Sequence, residues 1–170
     1  YAAHLLCTGE TNRMMKNGKK DMALVYSEKP CVTAGTFTTN KVFAAPVKWD
    51  RNIVYNKDFA QAVVVNSGVA NACTGVEGDN ACAEEAKAVA KVLDVPENAV
   101  LIGSTGVIGM QLPVDRICAG IEKLAPMLDA SLEAGTQAAE AIMTTDTRSK
   151  QVAVEVEVAG TKVTIGGMCK

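Results

Sequence analysis

Two short runs made only of apolar residues, Ala62-Val-Val-Val65 and Ala99-Val-Leu-Ile102, constrain this chain more than any other feature. Each is too short for a stable helix and too uniformly apolar for a half-exposed strand, so each reads as a strand buried on both faces. Both pass directly into polar, glycine-containing stretches that read as loops at the strand ends. The first continues as Asn66-Ser-Gly-Val-Ala-Asn-Ala-Cys-Thr-Gly75, the second as Gly103-Ser-Thr-Gly-Val-Ile-Gly-Met-Gln-Leu-Pro113. Between the runs, Asp79 is predicted to cap a helix that turns Cys82, Ala86, Val89, Ala90 and Leu93 inward and Glu84, Glu85, Lys87 and Lys91 outward, with Pro96 stopping it.

The flanking segments fit the same plan. Residues 21–26 and 31–37 are rich in apolar and β-branched side chains and are predicted as two strands joined by a turn at Ser27-Glu28-Lys29-Pro30. Residues 42–49 are ambiguous, although Pro46 suits the first turn of a short helix running towards Tyr55. Beyond Pro113, Ile117, Ile121, Leu124 and Leu128 recur at helical intervals, and a further helix over about 131–143 places Leu132, Ala139, Ile142 and Met143 on one side. Val152, Val154, Val156 and Val158 alternate with Ala153, Glu155 and Glu157; Ala159-Gly160 then turns into a second strand, Thr161-Lys-Val-Thr-Ile165. Strands in both halves with helices between them predict a layered α/β domain of mixed sheets, with no linker or repeat that would split residues 1–170.

Composition removes several classes of function. A formal charge of −2 with both signs dispersed, and only one Trp, three Tyr and three Phe, provide neither a basic stripe nor a stacking platform for nucleic acid. No apolar run is long enough to cross a bilayer, and Tyr1 onward lacks the basic-then-apolar order of a signal peptide. A cytoplasmic protein with reduced thiols is expected, since Cys7, Cys31, Cys73, Cys82, Cys118 and Cys169 form no C-x-x-C pair. No metal site is expected either, because His4 is the only histidine.

The stretch around Ser104-Thr-Gly106 holds the candidate chemistry. The Thr105 hydroxyl and the Gly106 N–H can point to one side, giving two donors for an oxygen that becomes negative during acyl transfer. The same glycines would also serve a connection with no other role. Ser67 and Ser104 follow strands but lie outside G-x-S-x-G, His4 is remote from both, and Cys73 lacks an obvious base. The chain therefore offers oxyanion donors without an attacking group. Thr144-Thr-Asp-Thr-Arg148, at the end of the last helix, reads equally as a cap and turn.

Taken together, Asn66 to Gly75, Ser104-Thr-Gly-Val-Ile-Gly109, Leu112-Pro113, Ala141-Ile-Met-Thr-Thr-Asp-Thr147 and Gly166-Gly-Met-Cys-Lys170, with Thr38-Thr-Asn-Lys-Val-Phe-Ala-Ala-Pro-Val47 as a looser sixth block, resemble the ornithine acetyltransferase family, also called glutamate N-acetyltransferases. The resemblance covers essentially the whole chain. It implies the fold shared with self-processing aminopeptidases, and a precursor that cuts itself before a threonine just beyond Lys170. This chain would then be the α chain, partnered by a β chain from the same precursor in a heterotetramer of two α and two β chains. The new N-terminal threonine of β would take acetyl from N2-acetylornithine and pass it to glutamate by a ping-pong route. By the same resemblance, Thr105 and Gly106 stabilise the oxyanion, Thr144 and Lys170 bind substrate, and no cofactor is needed, acetyl-CoA entering only as a possible second acetyl donor.

Two positions depart from the family pattern: Val69 stands where asparagine is usual, and Cys169 where alanine precedes the lysine. The chain also begins inside the family's N-terminal region. A self-processing aminopeptidase or amidase of related fold, and a non-catalytic structural subunit, are the alternatives that the residues leave open.

Overall fold

The computed structural model describes residues 5–10, by their backbone, and 20–170 in full. His4 lies outside the described residues. One sheet contains β1 (Leu5–Glu10), β2 (Met22–Cys31), β3 (Ala60–Val69) and β4 (Val100–Val107), side by side in that order. β1 and β2 run antiparallel, as do β2 and β3, whereas β3 and β4 are parallel. A parallel neighbour cannot be reached by a tight turn, and helix α2 (Gly75–Leu93) makes the crossover. The two apolar runs of the sequence are this parallel pair.

Alternation along the strands sorts side chains between two layers. On one face Leu24, Val64 and Ile102 pack against Cys82, Ala86 and Val89 of α2 and against Ile117, Ile121 and Leu124 of α3 (Val114–Leu124). On the other, Ala23, with Val25 and Val65 beside it, packs against Ala138 and Ala141 of α4 (Leu132–Ala141) and the adjoining Ile142. Covering both faces satisfies what a wholly apolar strand demands.

Helix α1 (Ala45–Asn56) starts with proline in its first turn, as expected, and guards the edge of β4. The Trp49 Nε1–H donates to the Val100 carbonyl at 2.9 Å, and Asp50 Oδ1 accepts the Ile102 N–H at 2.9 Å. An edge strand's unpaired backbone groups are thereby occupied. Burial pushes the Asp50 carboxyl up to about 6, against the opposing pull of the Ile102 amide. The chain closes with the hairpin β5 (Lys150–Val158) and β6 (Thr161–Cys169), whose turn residues Ala159 and Gly160 have φ of 50° and 76°. Two consecutive positive φ angles match the strand twist, which is the reason such turns favour hairpins.

The structure corrects five expectations. Residues 21–37 do not make two strands: β2 continues through Ser27-Glu28-Lys29-Pro30, and its register on β3 shifts between Tyr26 and Cys31. There the Ser27 hydroxyl donates to the Lys29 carbonyl at 2.7 Å, so the turn-forming residues make a bulge instead of a hairpin. The polar stretches after Val65 and Ile102 are not loops at first; they remain strand to Val69 and Val107, pairing with each other from Asn66↔Ser104 to Val69↔Val107.

Asp79 is not the cap of α2. The helix begins four residues earlier, with Thr74 as its N-cap residue, and Asp79 pairs with Lys48 at 2.6 Å. Glu85, expected outward, is fully buried, because α2 packs against both the sheet and the neighbouring α3 and its inward stripe widens to Gly78, Ala81, Cys82, Glu85, Ala86 and Val89. Leu132, expected inward on α4, is exposed; alanines form the contact and let the helix lie close to the sheet. Among the described residues no helix is long and apolar enough to cross a membrane.

Candidate active site

The ends of β3 and β4 bring two polar strand segments together in register, Ser67 beside Thr105 and Gly68 beside Gly106. Asn66 and Ser104 share the face of Val64 and Ile102, towards α2 and α3. Ser67 and Thr105 share the face of Val65, towards α4. Thr105 is half-buried and Gly106 exposed.

Only glycine fits at Gly106. Its φ is 139°, and a Cβ there would overlap the Gly68 carbonyl and come within 2.7 Å of the Val69 nitrogen. The two backbones touch where side chains would hold them apart. Gly78 permits a second close contact: a side chain there would collide with Thr74 and Asn71, which are locked by a 2.6 Å bond from the Thr74 hydroxyl to Asn71 Oδ1 and a 2.9 Å bond from Asn71 Nδ2–H to the Gly78 carbonyl. The segment between β3 and α2 is pinned in this way.

Ser67 joins the strand ends to the helix on their α4 side. Its N–H donates to the Asp21 carbonyl at 2.8 Å, and its hydroxyl to the carbonyl of Ala141, the last residue of α4, at 2.5 Å. The serine weighed as a nucleophile thus spends its hydroxyl on a helix-end carbonyl. Three residues further on, the half-buried Thr144 donates its N–H to Asp146 Oδ2 at 3.2 Å. Lys170 Nζ donates to the same oxygen at 2.9 Å, and Lys150 Nζ to Oδ1 at 2.7 Å. Thr144 and Lys170, 26 positions apart in sequence by their numbering, therefore meet on one carboxylate, and Met168 packs on the cluster of Ala23, Ala138, Ala141 and Ile142 just before the chain reaches Lys170.

The Lys150 and Lys170 ammonium groups, with the Thr144 amide, hold the Asp146 carboxyl well below the usual carboxylate range. A depressed acid contributes its stabilisation fully above the unfolded value of about 4, and loses it as pH falls through the lower folded value. Asp146→Asn should therefore raise amide exchange at Thr144 several-fold at neutral pH and flatten its acid dependence; hydrogen exchange followed by mass spectrometry checks both. Sequence reasoning missed Asp146 as an organiser. Its signal was present, an Asp just past a helix end among threonines, but that pattern also describes a simple turn.

Two of the free thiols sit in unlike surroundings. Cys82 is buried, and burial chiefly pushes it up to about 12, while Cys73 is exposed with φ of 60°. Among the described residues no cluster of His, Cys, Asp and Glu could hold a metal ion.

A mixed sheet covered on both faces, with a backbone-to-backbone strand end set beside a helix terminus and a lysine-bearing hairpin foot, defines a layered α/β chain whose candidate site lies at its strand ends. The model of the ArgJ family matches residues 7–170, and the chain belongs to that family. It is 51% identical over 153 residues to the arginine biosynthesis bifunctional protein ArgJ of Symbiobacterium thermophilum, an alignment covering 90% of this chain and 37% of that protein. The chloroplastic ArgJ of rice is 43% identical over 155 residues, 91% of this chain and 34% of its own length. The chain thus spans little more than a third of these curated relatives. Among solved structures, ArgJ from Bacillus halodurans superposes with a TM-score of 0.92 at 36% identity, covering 99% of this chain and 87% of that one. The ornithine acetyltransferase of Mycobacterium tuberculosis, solved with ornithine, gives 0.92 at 38% identity, covering 99% and 89%.

Proposed function

We propose that residues 1–170 form one α-chain domain of a glutamate N-acetyltransferase, completed by a β chain from the same precursor. Two lengths support the division. The chain spans 37% of the S. thermophilum relative but 87% of the solved B. halodurans chain, so solved chains of this family have about the size of this one. The observation that carries the reading is the placement of Thr105 on the α4 side of a strand end beside the exposed Gly106.

In this reading the N-terminal threonine of β attacks the acetyl carbon of N2-acetylornithine, its own α-amine accepting the hydroxyl proton. The Thr105 hydroxyl and Gly106 N–H donate to the oxygen as it becomes negative. Collapse breaks the bond to ornithine nitrogen, which leaves with a proton, and an acetyl ester remains on the threonine. Glutamate's amine attacks that ester, restoring the hydroxyl and releasing N-acetylglutamate. Thr144 and Lys170 bind substrate. An ammonium has three donors, so Lys170 can hold a substrate carboxylate while still bonded to Asp146. The assembly is a cytoplasmic heterotetramer of two α and two β chains that needs no cofactor, nucleic acid or membrane, and acetyl-CoA is a possible second acetyl donor.

Expression of the full-length gene product tests this. Intact-mass analysis should find two chains, the second beginning with threonine, and acetyl should pass from N2-acetylornithine to glutamate. An uncut, inactive polypeptide would overturn the proposal, and release of free acetate in place of N-acetylglutamate would point to an amidase.

A further inference from the structure

Every residue of the β5–β6 hairpin except Met168 is exposed, yet its side chains are sorted into two unlike faces. Register places Val154 opposite Ile165 and Val156 opposite Val163, with Val152 facing Gly167 and Val158 facing Thr161. Since cross-strand partners share a face, these six β-branched apolar side chains form one continuous surface, exposed by between 37% (Val163) and 64% (Val152). The opposite face carries Glu155, Glu157, Lys162 and Thr164, with Lys162 and Glu155 paired at 2.7 Å.

Such a ribbon is not self-sufficient. Two strands alone are marginal in water, and one with an apolar face needs a third layer. Among the described residues only its foot is secured, by Met168 on the cluster of Ala23, Ala138, Ala141 and Ile142 and by Gln151 Nε2–H donating to the Thr136 hydroxyl at 2.9 Å. The apolar patch extends away from that foot.

We infer that the valine face of this hairpin is the surface on which the remainder of the precursor docks. The family polypeptide supplies the occupant: this chain covers 37% of the S. thermophilum relative, so most of such a protein lies outside these residues. The inference rests on the proposed function in placing that remainder beyond Lys170, one residue past the end of β6, so the following segment starts at the hairpin's own foot. The partner is thus covalently delivered to the patch before any cut, and a strand-rich apolar surface on it would complete the missing layer.

The test uses the full-length gene product with single substitutions Val154→Cys, on the apolar face, and Thr164→Cys, on the polar face. Maleimide labelling is measured against the parent protein's own cysteines. Position 154 should label at least about tenfold more slowly than position 164 in native protein, and equally in urea. A benzophenone maleimide attached at 154 after brief unfolding and refolding should cross-link to residues beyond 170. Equal native labelling at the two positions would overturn the inference, as would cross-links landing within residues 1–170 of a second copy. If Val154→Cys does not fold, Ile165→Cys, its cross-strand partner, takes its place. Labelling is independent of cleavage and acetyl transfer. An uncut, inactive protein with a protected position 154 would end the proposed function and keep the docking surface; a cleaved, active one with position 154 freely labelled would do the reverse.

Discussion

Thr105→Ala in the full-length protein is expected to lower acetyl transfer from N2-acetylornithine to glutamate by about 10²–10³-fold, equivalent to about 2.7–4 kcal/mol of lost transition-state stabilisation. The effect should fall on kcat, because a donor aimed at developing charge contributes little while the substrate carbonyl is still neutral. The fold should tolerate the change. Thr105 is only half-buried, and none of its side-chain atoms belongs to either apolar cluster. Thr105→Ser, which keeps the hydroxyl and removes only a methyl, should restore most of the rate. Steady-state kinetics on protein whose maturation has been verified by intact mass decides the matter: unchanged kcat in Thr105→Ala would remove this hydroxyl from the mechanism. The neighbouring donor cannot be tested by a side chain, since any Cβ at Gly106 collides with the Gly68 backbone.

The position of Thr105 and Gly106 at a strand end was legible because apolar runs announce buried strands, and polar residues immediately after them mark where strands emerge. Pro46 and Ala159-Gly160 were legible for a related reason: each fixes backbone angles locally, so tertiary context had little to override. The extent of the strands was not. Asn66 to Val69 and Ser104 to Val107 look like loops alone and become strand because each supplies the other's backbone hydrogen bonds, a long-range pairing that neither segment signals. Ser67 shows the same limit at the level of the site. Its partners are the carbonyls of Asp21 and Ala141, 46 and 74 residues away, and no local pattern contains them. Asp146 was overlooked for the opposite reason, its local pattern being complete without the distant Lys170.

Glu85 is where the sequence pattern misled most, and it carries the second large expectation. A charged residue beside Glu84 and Lys87 reads as a solvated helix face, but here the carboxyl is fully buried and neither oxygen has a hydrogen-bond partner among the described residues. Burial pushes it up to about 8. The folded protein therefore keeps this proton at neutral pH, while the unfolded chain releases it above about 4.3. Between those values the native state binds one proton more than the unfolded state, so stability is greatest below the unfolded value and falls as pH rises towards 8. Each unit of that interval is worth about 1.4 kcal/mol, which makes the whole effect a few kcal/mol, a large share of a domain's stability.

Glu85→Gln removes the ionisation without changing the side chain's size. It should leave stability near pH 5 little altered and raise it by a few kcal/mol at pH 8. Glu85→Met, which also removes the polar atoms, should stabilise at both values, because an unpartnered buried oxygen costs about 1–3 kcal/mol even when neutral. Urea unfolding of the full-length protein at pH 5 and pH 8 separates the two contributions. If parent and Glu85→Gln lost stability equally between these values, the carboxyl would have found a partner or solvent, and the buried stripe of α2 would be narrower than Gly78, Ala81, Cys82, Glu85, Ala86 and Val89 imply.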